Sequence, residues 1–146
     1  MKTIAILGAG TAGTIMANRL RRRLDARQWH IIILDRDDRH SYQAGYIFVP
    51  FQINRAADLV KSRRRYLPKN VEYIVGEVEV IEPKQNRIRL ANGRQIAYDY
   101  LIVATGTAPA PEETPGLKGD GAYQIANIVM EEFIPNSDRS VSGGRV

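Results

Sequence analysis

A chain of 146 residues that is 44% hydrophobic and 25% charged has the balance of one soluble globular domain with a real core. No apolar run approaches the about 20 residues that span a bilayer, and no small-residue cleavage site follows the short apolar stretch at the N-terminus, so a cytoplasmic protein is expected. There are no cysteines, which excludes disulfides, zinc–thiolate sites and thiol chemistry, while the net charge of +5 comes mostly from arginine.

The arginines cluster at Arg19, Arg21, Arg22 and Arg23 and again at Arg63, Arg64 and Arg65. Both clusters fall near predicted helix ends, where cations favour the negative end of the helix dipole, so solvated helix faces are the first reading. An anionic membrane surface is the second. Nucleic acid comes last, because no motif for it is present.

The first forty residues carry the strongest pattern. Thr3-Ile4-Ala5-Ile6-Leu7 reads as a strand, Gly8-Ala9-Gly10-Thr11-Ala12-Gly13 as a glycine turn, and the stretch to Leu24 as a helix whose inward face holds Ala12, Met16, Leu20 and Leu24 with Gly13 and Ala17 beside it. Ile31-Ile32-Ile33-Leu34 reads as a second strand, ending on Asp35, 22 residues beyond the last glycine. This is the order of a dinucleotide-binding βαβ unit: Gly8 for the turn, Gly10 for close approach to a pyrophosphate, Gly13 for packing of helix on sheet. The free N–H groups of the helix N-terminus then face the phosphates. Asp35 can accept hydrogen bonds from both ribose hydroxyls of an adenosine and would repel a 2′-phosphate; Arg36 pulls the other way, since an adjacent arginine can accommodate that phosphate. FAD or NAD is therefore favoured over NADP.

From Arg36 to Gln52 the chain is polar, then aromatic, and too irregular for a confident element; such loops often carry ligand contacts. His40 reads as a solvated or hydrogen-bonded loop residue, and Tyr46, Phe48 and Phe51 as packing. Asn54 can cap a helix over residues 55–66 with Ala56, Leu59 and Val60 on one side, ended by Pro68. Short β-branched segments follow at 71–75, 78–81, 87–90, 95–98 and 100–103, with Asn92-Gly93 as a two-residue hairpin signal. A parallel strand thus enters a small antiparallel meander, and Tyr100-Leu101-Ile102-Val103 returns to the parallel sheet. The return strand ends in Ala104-Thr105-Gly106, at the same carboxyl edge as Gly8, where open α/β sheets bind ligands.

The combination of Gly8 to Gly13, Asp35, the meander and Tyr98-Asp99-Tyr100-Leu101-Ile102-Val103-Ala104-Thr105-Gly106 resembles the first FAD-binding segment of two-dinucleotide-domain flavoproteins, the pyridine nucleotide-disulfide oxidoreductase group. Within that group it is most similar to sulfide:quinone oxidoreductase, a likeness that extends to His40-Ser41-Tyr42-Gln43-Ala44-Gly45 and Phe48-Val49-Pro50-Phe51 and covers about Lys2 to Leu117. The resemblance implies a Rossmann-like α/β fold with a parallel sheet, a glycine-rich βαβ unit and an antiparallel meander, incomplete at its last strand. It also implies that Gly8, Gly10, Thr11 and Ala12 meet the FAD pyrophosphate, Asp35 the adenosine ribose, Val78 the adenine, and Thr105 and Gly106 the centre of the cofactor. With Ala9, Gly13, Arg36 and Ala104 beside them, these form the candidate cofactor-binding set; no residue is a convincing catalytic acid, base or nucleophile, and no metal site is expected.

The chain departs from the family pattern in three ways. It has no room for the later nicotinamide-domain-like and Gly-Asp segments, residues 118–146 read as a divergent, polar tail after a partial FAD-binding domain at 1–117, and the redox cysteine pair is missing. A truncated or frameshifted flavin-dependent oxidoreductase is the leading expectation, binding FAD but lacking the dithiol half of the reaction. A NAD-binding Rossmann dehydrogenase or redox sensor is the alternative, followed by a non-catalytic interaction module. Quinone and the inner face of a membrane are the implied partners of full-length relatives. An exposed edge beside the Ala-Thr-Gly strand would allow a homodimer.

Overall fold

The computed structural model describes residues 1–49, 51–107, 110 and 113. The expected tail at 118–146 therefore lies outside the described residues, as does Pro50. Two compact units are present: one comprises residues 1–40 and 61–106, and the other contains residues 41–60.

In the first unit, β1 (Lys2–Leu7), β2 (Trp29–Asp35), β5 (Glu72–Val75) and β9 (Tyr100–Val103) form a four-stranded sheet in the order β5-β2-β1-β9, every pairing parallel. The helix α1 (Thr11–Arg23) connects β1 to β2. Strands β6 (Val78–Glu82), β7 (Arg87–Leu90) and β8 (Gln95–Ala97) form the antiparallel meander between β5 and β9. Two further strands, β3 (Arg39–Ser41) and β4 (Val60–Ser62), make a separate two-stranded sheet.

Both faces of the parallel sheet are buried, which is why β1 and β2 read as unbroken apolar runs rather than as alternating ones. Ala5, Leu7, Ile32 and Leu34 point to one side, where Ile88, Leu90, Ile96 and Tyr98 of the meander cover them. Ile4, Ile6, Ile31 and Ile33 point to the other, against Ala17 with Leu20 and Leu24 of and just after α1. The helix is rotated from the expected stripe: Gly13 and Ala17 are buried while Ala12 and Met16 are exposed. Contact of Gly13 with the turn after β1 sets that rotation, since a Cβ there would lie 1.8 Å from the Gly8 carbonyl oxygen.

Two local expectations are overturned. Residues 55–66 do not form one helix but two 3-10 turns, Ala56–Leu59 and Arg63–Tyr66, with β4 between them. Asn54 does not cap; its Nδ2 donates to the Gly45 carbonyl. The polar groups that would close an α-helix are claimed by tertiary partners instead: Tyr42 N–H donates to the Leu59 carbonyl, and Arg63 N–H to that of Asp38. The hairpin between β7 and β8 also differs. Leu90 and Arg94 form the closing pair, so the loop is Ala91, Asn92 and Gly93, with only Gly93 at positive φ (+83°). The Asn92 side chain accepts the Arg94 N–H rather than placing its own backbone in the left-handed region a two-residue type I′ turn needs.

In the second unit a short helix, α2 (Gln43–Tyr46), buries Tyr46, and Gly45 lies so close to Leu59 that a Cβ would meet its Cδ2 at 2.5 Å.

Candidate functional site

The turn after β1 is built from backbone. Gly8 adopts φ +93°, a region that L side chains rarely enter, and its N–H donates to the Leu34 carbonyl at 2.7 Å. On its other side stands the end of β9: a Cβ on Gly8 would meet the Ala104 carbonyl oxygen at 2.3 Å and the Thr105 Cα at 3.0 Å. Gly8, Gly13, Ala104 and Thr105 are thus brought together as expected, and Ala104 N–H donates to the Leu7 carbonyl at 2.7 Å.

Gly10 is different in kind. It precedes α1 at φ −72°, offers no side-chain cap, and an added Cβ would meet nothing within 4 Å. The first turn of α1 contains no acid, and Thr11 and Ala12 are exposed. The positive end of a helix dipole therefore opens onto space bounded by bare backbone, an arrangement suited to an anion. Thr14 closes the turn from behind, its Oγ1 donating to the Ala9 carbonyl at 3.1 Å. Gly106, at φ +71°, likewise has open space where a Cβ would be.

Asp35, the last residue of β2, accepts the Ala9 N–H on Oδ2 at 2.7 Å. The same oxygen lies 2.8 Å from Nη1 of Arg63, whose Nη2 is 3.3 Å from Oδ1 of Asp37. Both partners are nearly buried, the side chains of Arg63 and Asp35 retaining 14% and 12% of their exposure. Arg36, by contrast, is 72% exposed and reaches Asp37 at 3.7 Å, not Asp35. Val78 packs partly buried against the core beneath the meander.

Around Arg63 lies a network that local sequence gave no sign of. Ser62 Oγ donates to Asp38 Oδ2 at 2.6 Å, and Tyr73 donates from its hydroxyl to the Asp37 carbonyl at 2.8 Å. The Ser62 hydrogen bond is the main cause that holds the Asp38 carboxyl below its ordinary value. Burial, aided by the Asp38 charge, pushes the Tyr73 phenol up. His40 packs against Tyr66 with ring centroids 4.6 Å apart and ring planes tilted by 44°, and burial together with the Arg63 charge pushes its imidazole down. The run Arg63-Arg64-Arg65 is therefore not simply a solvated face: Arg63 is spent on carboxylates and Arg64 lies 5.0 Å from the Tyr73 ring centroid. The one available signal was complementarity between the acids Asp35, Asp37 and Asp38 and this distant basic run.

Among the described residues there is no group of three His, Cys, Asp or Glu placed to hold a metal, and no helix long and apolar enough to cross a membrane.

The chain is similar in sequence to the mitochondrial sulfide:quinone oxidoreductase of Mus musculus, 32% identical over 82% of this chain and 26% of that protein. It is 30% identical to the corresponding enzyme of Dictyostelium discoideum over 79% of this chain and 25% of that one. The fold matches the X-ray structure of the sulfide:quinone oxidoreductase from Aquifex aeolicus with a TM-score of 0.65, at 22% identity, covering 75% of this chain and 25% of that one. The chain thus spans about a quarter of the length of these relatives. The family model for pyridine nucleotide-disulphide oxidoreductases matches residues 2–138. A parallel sheet with a glycine turn against its return strand, and this match across nearly the whole chain, make the protein a member of the pyridine nucleotide-disulphide oxidoreductase family of FAD-binding flavoproteins.

Proposed function

We propose that this chain forms the FAD-binding portion of an oxidoreductase of the sulfide:quinone type. The observation that carries the reading is the contrast within the glycine turn: Gly8 and Gly13 have no room for a side chain because protein fills it, whereas Gly10 has room that nothing in the described protein fills. A pyrophosphate is the group whose size and charge suit that opening at a helix N-terminus. In this reading Gly10, Thr11 and Ala12 hold the phosphates by backbone N–H groups, and Asp35 receives a ribose hydroxyl. Ala104, Thr105 and Gly106 border the middle of the cofactor, with Val78 near the adenine. Arg36 is assigned the rim of the adenosine end.

Bound flavin supplies the electron transfer, and the chain supplies position and electrostatics. With no cysteine in its 146 residues, this chain has no thiol to take up sulfide sulfur, so a dithiol step does not run on its own side chains. Quinone as electron acceptor belongs to the same proposal, supported by the names of the relatives; a peripheral seat on a membrane is proposed with it.

The test is a titration with FAD followed by flavin fluorescence and thermal unfolding. Ligand at 100 times its dissociation constant should add about 2.7 kcal/mol of stability. Unfolding that does not respond to FAD at any attainable concentration would sink the reading. A response to NADH alone would select the nicotinamide alternative.

A further inference from the structure

We infer that Arg63 is a positioning residue for the adenosine end of the site: it fixes the carboxylate of Asp35 so that one oxygen, Oδ1, is presented to a ribose hydroxyl. The inference rests on the proposed dinucleotide site and adds to it a residue outside the glycine fingerprint.

The geometry divides the two carboxylate oxygens. Oδ2 of Asp35 takes two donors, Ala9 N–H at 2.7 Å and Arg63 Nη1 at 2.8 Å, so it is occupied by protein. Two donors on one oxygen fix both the position and the plane of a carboxylate, which a single backbone bond would leave free to swing. Arg63 is itself fixed. Its Nη2 is held by Asp37 at 3.3 Å, its backbone N–H donates to the Asp38 carbonyl at 3.2 Å, and its neighbour Ser62 is tied to Asp38 at 2.6 Å. The side chain is only 14% exposed, so water competes weakly for the guanidinium.

Charge matters as well as direction. The Arg63 guanidinium serves two carboxylates at once, Asp35 and Asp37, and a dinucleotide brings further negative charge to the turn beside them. Arg63 offsets that repulsion at its source. Lysine could keep the charge but not the fork that reaches both acids at once. In Arg63→Met the acid should still receive Ala9 N–H, but lose its fixed plane and its counter-charge.

The experiment compares ADP with 2′,3′-dideoxy-ADP, each titrated into the full chain and followed by the Ala9 amide resonance. Wild type should prefer ADP about tenfold, the size of one hydrogen bond to a charged group. Arg63→Met should reduce that preference to about twofold or less, Arg63→Lys should retain part of it, and Asp37→Asn, which removes only the outer anchor, should fall between. The ratio is the decisive readout, because a merely structural defect weakens both nucleotides alike. Should Arg63→Met fail to fold, the Lys and Asn variants carry the same comparison. Wild-type discrimination in these variants would overturn the role of Arg63 while leaving the dinucleotide site standing. A wild-type chain that binds neither nucleotide would overturn the site and this inference together.

Discussion

The glycine turn and the arginine–carboxylate network stand on either side of Asp35, and they are made of opposite materials. Gly8 to Gly13 works through missing side chains: backbone packs against backbone, and the tolerance at Gly8 and Gly13 is below one atom's width. The network of Asp35, Asp37, Asp38, Ser62, Arg63 and Tyr73 works through side-chain heads brought together from three separate segments. A close-packed backbone cannot adjust to an added methyl, whereas a polar network can lose one bond and keep the others. The turn is thus expected to break and the network to bend.

The largest break should come at Gly13. Gly13→Ala places a Cβ 1.8 Å from the Gly8 carbonyl oxygen, which only movement of α1 off the sheet can relieve. Chemical denaturation should register a loss of about 3 kcal/mol or more, and an unchanged midpoint would mean that the helix is not seated as described. Gly10→Ala is the matched control on the same turn. With nothing within 4 Å and φ at −72°, it should cost less than about 1 kcal/mol of stability while weakening FAD by about tenfold. Loss of affinity at both positions in proportion to loss of stability would erase the distinction between them.

The network should yield less. Tyr73→Phe removes the hydrogen bond to the Asp37 carbonyl and is expected to cost about 1 kcal/mol, measured by the same denaturation. The smallest effects are those of pH. Tyr73 titrates above its ordinary 10.0 in the fold, so above that pH the unfolded chain loses its proton first and stability declines as pH rises. Tyr73→Phe should flatten this alkaline arm. On the acid side the sign reverses. His40 lies below 6.5 and Asp38 below 3.8 in the fold, so stability present above those values is lost as pH falls through the folded ones. His40→Phe should remove the earlier part of that decline, and an acid arm it leaves untouched would show that His40 is not the group responsible.

How legible each region was in the sequence follows from the same contrast. The turn was readable because its determinants are consecutive: a strand, three glycines at fixed spacing, a helix, and an acid at the end of the next strand. The meander and the return strand were readable from β-branched segments and turn residues. What failed was local inference about residues whose hydrogen bonds go elsewhere. Asn54 looked like a cap but serves Gly45, and the segment from Arg55 to Tyr66 looked helical but yields its backbone groups to Tyr42 and Asp38. Arg63 looked like one of three solvated arginines, and no periodicity marks it off from Arg64 and Arg65. Even the orientation of α1 was set by contact, since Met16 fits an apolar stripe as well as Leu20 does and only Gly13 against Gly8 decides which faces inward.

The slot between Gly8 and Ala104 also bears on the order of events in folding. Strand β9 pairs directly with β1, and Asp99 closes that pairing onto Thr3, a residue 96 positions earlier, with its carboxylate 2.6 Å from the Thr3 N–H. The last described wall of the cofactor turn is therefore supplied by the end of the last described strand. A nascent chain emerging from the ribosome can form β1, α1 and β2 early, but it cannot seat the Gly8 turn against Ala104 until the segment through Ala104 has been made. High contact order of this kind predicts slow final docking. Until it happens, the flank of β1 is an unpaired sheet edge, open to the wrong partner. Free FAD, by binding only after that strand arrives, would act as a ratchet on the last step of folding rather than on the first.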